Sequence, residues 1–287
     1  MAKESPLSGI LVVDKPSGMT SRAVVDRVSR VLGTKKIGHT GTLDPMATGI
    51  LVLTIGKCTR LSEFLTAKSK EYTASFVLGK QTDTLDITGT VIASSDKYVS
   101  IDKIKAHVAS FKGTYLQEVP AYSAIKVEGR RLYDYARNGE KVELPKRAVT
   151  ISSLEILSIE DDEITIRTRV SKGTYIRSLI RDIGRALGTY ATMTSLRRTE
   201  QGSIGLDKAK TLEEIEAGNY SLITPRELLA DIENIDLDDE TYKKVSNGVK
   251  MTLVSQNEYI TFTYHDELVA LYRKDKEEIY KMYVAFF

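Results

Sequence analysis

Residues 38–56, GHTGTLDPMATGILVLTIG, decide how this chain is read. The second half, GILVLTIG (49–56), is an apolar run bounded by glycines, the pattern of a strand buried on both faces. The first half, GHTGTLDPMATG (38–49), sets Gly38, Gly41, Gly49, His39, Pro45 and the carboxylate of Asp44 close together. Upstream, GILVVDK (9–15) reads as another buried strand, ending at Pro16. TSRAVVDRVSRVLG (20–33) is apolar at 24, 25, 28, 31 and 32, which is helical spacing, with Thr20 or Ser21 as N-cap and Gly33 as C-cap. The glycine-rich stretch therefore connects a helix to a strand. Three readings of it stand at this point, one of them a glycine-rich phosphate cradle. In the other two, Asp44 before Pro45 makes an Asx-type turn, or the loop presents Asp44 to a substrate.

Further along, strand and helix patterns alternate. EYTASFVLG (71–79) puts Tyr72, Ala74, Phe76 and Leu78 on one face. SIDKIKAHVASF (100–111) is apolar at helical spacing. VTISSLEILSI and EITIRTRVSKG (149–173) predict a strand pair. TYIRSLIRDIGRALG (174–188) predicts a helix with Thr174 as N-cap and Gly188 as its stop. YITFTYH, ELVALYR and EIYKMYVAFF near the C-terminus predict a small β domain.

A chain of 287 residues buries a large core and divides into one large and one small domain. No run of about 18 apolar residues occurs, which argues against a membrane span. The first residues carry no secretory pattern. The single cysteine, Cys58, has no internal partner and reads as a small buried hydrophobe. Together these point to the cytoplasm. Charge is divided along the chain: 33 Lys+Arg stand against 23 Asp+Glu in residues 1–210, and 8 against 16 in 211–287. The basic part suits a polyanion such as RNA. The acidic run in 211–241 reads as a solvated helix and linker.

Exclusion narrows the chemistry. Neither G-x-x-x-x-G-K-[ST] nor G-x-G-x-x-G occurs, so residues 38–49 form neither a P-loop nor a dinucleotide cradle. His39, His107 and His265 are scattered, no C-x-x-C exists, and a zinc deaminase signature is absent. Acid, tyrosine and arginine remain. An aspartate, with a pKa of about 3.9, is ionised at neutral pH without an activating base. Burial raises that pKa unless a cation stands alongside. A catalytic Asp44 thus demands an arginine. Residues 112–148 combine eight basic residues with Tyr122, Tyr133 and Tyr135. They suit RNA backbone and unstacked bases, or equally a surface hairpin whose tyrosines pack on their own domain.

Four stretches in this order, GHTGTLDPMATG, EYTASFVLGKQTDTLD, VPAYSAIKVEGRRLYDYARNGE and SKGTYIRSLIRDIGRALG, resemble bacterial tRNA pseudouridine-55 synthases of the TruB type. The resemblance implies an isomerase acting on one uridine in the T-loop of tRNA. The N1–C1′ bond breaks, the base turns and rejoins through C5, and neither cofactor nor metal takes part. It makes Asp44 the catalytic nucleophile and Arg177 its cation. Tyr72 then stacks on the target base, Tyr175 and Leu196 line the uracil pocket, and Asp86 belongs to its polar network. A base inside a folded T-loop has to flip out, at a cost of about a few kcal/mol, and His39 fills the vacated place. Residues 112–148 become an inserted thumb over the T-arm, with Lys126, Arg130, Arg131 and Arg137 on phosphates. The glycines of 38–49 become room for a nucleotide.

The expected fold is α/β (α+β): a mixed, largely antiparallel central sheet flanked by helices, with the thumb inserted. Residues 1–230 form the catalytic domain, with the thumb at about 112–148. Residues 231–287 form a small β-rich domain, net acidic, shortened, and only loosely similar to PUA-like RNA-binding domains. The expected partner is the T-arm of tRNA, bound by a cytoplasmic monomer with no guide RNA and no membrane. Three rivals differ in chemistry. A dyskerin-like synthase needs a guide RNA. An RNA-binding module needs no Asp44, Tyr72 and Arg177 together. A two-carboxylate hydrolase needs a second acid, for which Asp86 is the candidate.

Overall fold

Gly9–Lys15 and Thr48–Ile55 pair antiparallel, from Gly9 opposite Ile55 to Lys15 opposite Gly49, in a computed structural model that describes residues 7–287. Their side chains alternate between two cores. Leu11, Val13, Leu51 and Leu53 meet Val24, Val25 and Val28 of the helix Ser21–Val31. Ile10, Val12, Ile50 and Val52 face Cys58, Phe64, Leu271 and Val284. With both faces covered, neither strand has a polar side to show, and both segments read as unbroken apolar runs.

This pair begins a nine-stranded sheet. It continues through Ala191–Gln201, Lys70–Leu78, Glu163–Val170, Lys146–Glu160 and Gly113–Glu118, with Ile37–His39 on Thr48–Ile55 and Ile204–Gly205 on Ala191–Gln201. All neighbours are antiparallel except Thr48–Ile55 and Ala191–Gln201, which join in parallel at Arg197 opposite Thr48 and Arg198 opposite Gly49. The sheet is the mixed, largely antiparallel one expected. The helices Ile101–Ser110 and Ile176–Ala186 pack on its middle, burying Ile104, Val108, Leu179 and Ile183 against Ala74, Phe76 and Ile166.

Some local expectations shift. The helix Ile176–Ala186 starts later than predicted, with Tyr175 at its N-cap and no side-chain cap. The Thr174 hydroxyl donates to Ser171 O at 2.9 Å, closing the turn before the helix rather than capping it. Thr20 caps Ser21–Val31, accepting from the Ala23 N–H at 3.1 Å. The ends of 112–148 are sheet: Gly113–Glu118 pairs with residues 146–151. The part outside the sheet is 119–145, with a small hairpin at Lys126–Val127 and Arg130–Arg131 and the helix Leu132–Arg137.

A second, five-stranded sheet runs in the order Asn234–Asp236, Tyr259–Tyr264, Glu267–Lys276, Ile279–Ala285 and Met251–Thr252. The three longer strands carry the predicted patterns; the two outer ones are too short to show any. Leu271 and Val284 share a core with Ile10, Val12 and Phe64, so the sheets meet across apolar side chains. Among the described residues no helix is long and apolar enough to cross a membrane.

Candidate active site

The Asp44 loop is pinned where the two central strands join in parallel. At Gly49, with φ +93°, a Cβ would lie 2.2 Å from Arg198 O, so only glycine allows this approach. Arg198 is buried; its Nε donates to Ile50 O at 2.7 Å and its Nη2 to Gly41 O at 3.0 Å, gripping both ends of the loop. At Gly41 a Cβ would lie 3.2 Å from Arg198 Nη1. These two glycines therefore make room for an arginine of the protein itself, where a nucleotide was expected.

Lys15, fully buried, holds the loop from below by donating to Pro16 O, Pro45 O and Ala47 O at 2.8, 3.1 and 2.7 Å. Burial lowers its pKa to about 8, against the pull of Asp44 and with a push from Arg198. The Ser21 hydroxyl accepts from the Leu43 N–H at 2.9 Å and donates to Leu43 O at 3.1 Å. The turn after Asp44 closes through the main chain, Ala47 N–H to Asp44 O at 3.0 Å. No Asx-type bond closes it, and the Asp44 carboxylate is engaged elsewhere.

It meets Arg177. Nη2 donates to Asp44 Oδ1 at 3.0 Å, and Nε stands 3.0 Å from Oδ2. This is a two-point grip of guanidinium on carboxylate. The Arg177 side chain is 7% exposed and that of Asp44 32%, so the pair is closed behind the arginine and open at the aspartate. Burial raises the Asp44 pKa above 3.8; Arg177 pulls it down, Asp86 pushes it up and Lys15 pulls it down, with a net upward shift.

Asp86 lies on the far side of Arg177, with Oδ2 3.4 Å from Nη1. Its Oδ1 accepts from Thr84 Oγ1, Thr88 N–H and Thr88 Oγ1 at 2.9, 3.0 and 2.5 Å. Leu85 before it sits at φ +65°, between main-chain bonds from Met193 N–H to Leu85 O and from Ile87 N–H to Met193 O. Both oxygens of Asp86 are engaged, which suits an arginine holder and not the free acid of a hydrolase.

The other predicted residues fall into two groups. Tyr72 and Leu196 are buried in the apolar cluster that contains Leu43 and Ala47, on either side of Asp44. Tyr175 precedes the helix that carries Arg177, and Gln117 holds it by both main-chain groups, at 2.8 Å from its N–H and 3.1 Å to its O. His39 and the thumb cations do not touch the Asp44–Arg177 pair. His39 ends Ile37–His39, half-buried, its pKa lowered by burial, Arg198 and Arg22. Lys126, Arg130, Arg131 and Arg137 are exposed on 119–145. Arg130 pairs with Glu140 through two bonds and lies over the Tyr135 ring. Arg131 donates to Tyr133 OH. Tyr133 and Tyr135 pack against arginines of the segment, whereas the Tyr122 hydroxyl donates out of it to Asp83 Oδ2 at 3.2 Å.

Sequence reasoning missed Lys15, Arg198, the bond of Ser21 to the loop and the main chain of Tyr122, whose O accepts from Arg177 Nη2 at 3.1 Å. A lysine closing an apolar run ordinarily reaches solvent, and nothing in GILVVDKP marks Lys15 as buried. Arg198 had a signal: it shares the strand face of Leu196, two residues before.

In solved structures, the chain superposes on that described as "Crystal Structure of a Cbf5-Nop10-Gar1 Complex" with a TM-score of 0.73 at 26% identity, over 94% of this chain and 79% of that one. For "Structure of H/ACA RNP bound to a substrate RNA containing 2'-deoxyuridine" the TM-score is 0.72 at 25% identity, over 97% and 85%. The chain shares its overall fold with these proteins over nearly its whole length. The family model for the N-terminal domain of TruB family pseudouridylate synthases matches residues 29–176, and that for the tRNA pseudouridylate synthase B C-terminal domain matches 177–234. A tRNA pseudouridine synthase B of Syntrophobacter fumaroxidans is 46% identical over 217 residues, 75% of this chain and 71% of that protein. One of Fusobacterium nucleatum is 40% identical over an alignment of 296, 96% of this chain and 99% of that protein. This chain belongs to the TruB family, and is a tRNA pseudouridine synthase, an isomerase.

Proposed function

We propose that the enzyme isomerises uridine 55 in the T-loop of tRNA, on a flipped-out base, with Asp44 as the nucleophile and with no cofactor, metal or guide RNA. The observation that carries this reading is a partly open carboxylate gripped at two points by an almost buried arginine. The grip opposes the rise in pKa that burial causes, and each carboxylate oxygen keeps a further lone pair for the substrate.

From this ionised Asp44 three first steps are open: attack at C6 of the uracil, attack at C1′, or removal of a ribose proton. Each ends alike. The N1–C1′ bond breaks, the base turns, a C5–C1′ bond forms, and the proton lost from C5 is balanced by one gained at N1. Tyr72 stacks on the base and relays that proton. Tyr175 and Leu196 bound the uracil, and Asp86 steadies Arg177. His39, whose lowered pKa favours the neutral imidazole, fills the gap in the base stack. Lys126, Arg130, Arg131 and Arg137 meet phosphates of the T-arm. The catalytic unit is residues 1–230, the small β-rich unit is 231–287, and the enzyme works as a monomer in the cytoplasm.

Pseudouridine mapping in an unmodified tRNA transcript, incubated with this chain alone after treatment with a chelator, tests the reading. The expected result is modification at position 55 and nowhere else. Modification elsewhere, or only after a guide RNA or metal is added, overturns it.

A further inference from the structure

Arg177 has a partner outside the carboxylates. Its Nη2 donates to Tyr122 O at 3.1 Å as well as to Asp44, and Tyr122 stands in 119–145, the segment that leaves the sheet. The other end of Tyr122 is tied too, its hydroxyl donating to Asp83 Oδ2 at 3.2 Å. Asp83 Oδ1 accepts from the N–H groups of Thr84 and Thr90 at 2.9 and 2.8 Å. Thr84 O, in turn, accepts from Arg177 Nη1 at 2.8 Å. Arg177, Tyr122, Asp83 and Thr84 thus close a ring, and Asp44 is held on the outside of it.

The ring reaches the basic part of the segment through the main chain. Tyr133 N–H donates to Ser123 O at 3.1 Å, and Leu132 N–H to Ile125 O at 2.8 Å. These bonds fix the start of the helix Leu132–Arg137 to the residues just after Tyr122. A guanidinium is a rigid planar fork. If Tyr122 O or Thr84 O moves, the fork turns as a unit and its grip on Asp44 changes.

We propose that Tyr122 is a positioning residue: its hydroxyl latches the 119–145 segment to Asp83, so that the seat of this segment sets how Arg177 holds Asp44. The proposal rests on the reading of Asp44 as the catalytic carboxylate. Its consequence is that an RNA engaging the outward arginines gains rate as well as affinity, because it steadies the segment that Arg177 depends on.

Tyr122→Phe removes the hydroxyl and nothing else. With excess enzyme, the single-turnover rate of pseudouridine formation should fall by about tenfold to a hundredfold, the loss of one hydrogen bond to a carboxylate. The Kd for tRNA should stay within about twofold of wild type, since no RNA-facing group is removed. In an Asp83→Ala background the hydroxyl has no partner, and adding Tyr122→Phe should cost nothing further. A wild-type rate for Tyr122→Phe, a loss confined to Kd, or multiplying losses in the double variant would each overturn the latch. Asp44→Asn, assayed alongside, separates the two claims. Turnover by Asp44→Asn sinks the reading of the site itself, whereas a dead Asp44→Asn beside a fully active Tyr122→Phe sinks the latch alone.

Discussion

Asp44 and Arg177 lie 133 residues apart in the sequence and meet through two contacts. Since burial leaves the Asp44 pKa above 3.8 despite Arg177, the ionised form is lost as pH falls through that raised value. The rate should therefore have an acid limb at a pH above the ordinary aspartate value. Arg177→Ala removes the strongest downward pull, so the limb should move to higher pH while the rate falls; a pH–rate profile reads both. An unmoved limb would contradict the pairing. Gly49 gives a second test at this scale. Gly49→Ala forces a Cβ against Arg198 O, and should lower unfolding stability by at least about 2 kcal/mol in urea titration. The need for a cation was legible only on the reading of Asp44 as a buried catalytic carboxylate; the loop sequence left the plain turn open. The reason for Gly49 was not legible, because it lies in the main chain of a strand far along the sequence.

At the scale of elements, the aspartate loop and the 119–145 segment differ in how well their sequence exposes them. Strands buried on both faces and amphipathic helices follow from periodicity, and these were readable. The loop's clamps were not: Lys15 and Arg198 are cations spent on main-chain carbonyls, and carbonyls carry no side-chain signature. Tyr122 was read for its ring, yet Arg177 uses its carbonyl. In the basic segment, Arg130 is already paired with Glu140 whereas Arg131 and Arg137 have no carboxylate partner among the described residues. Arg131→Gln and Arg137→Gln should each weaken tRNA binding and reduce the slope of log K against log salt by about 1. Glu140→Gln should instead tighten binding by freeing Arg130. Filter binding across a salt series checks both; equal slopes in all variants would mean that the segment is no phosphate clamp.

For the whole molecule, Ile10 and Val12 of one sheet and Leu271 and Val284 of the other pack in one core with Phe64. The C-terminal sheet therefore stands on the back of the strand pair that the aspartate loop feeds. The strand candidates YITFTYH, ELVALYR and EIYKMYVAFF signalled a β unit, but not that its apolar face closes a core of the larger sheet. That contact is a matter of which buried faces meet, and periodicity says only that a face is buried. The central claim remains the role of Asp44, and one measurement addresses it most directly. Wild type and Asp44→Asn are each incubated with an unmodified tRNA transcript, and both pseudouridine at position 55 and the Kd for the same RNA are measured. Full modification by wild type, none by Asp44→Asn, and closely similar Kd values are expected. Pseudouridine formed by Asp44→Asn would contradict the assignment outright.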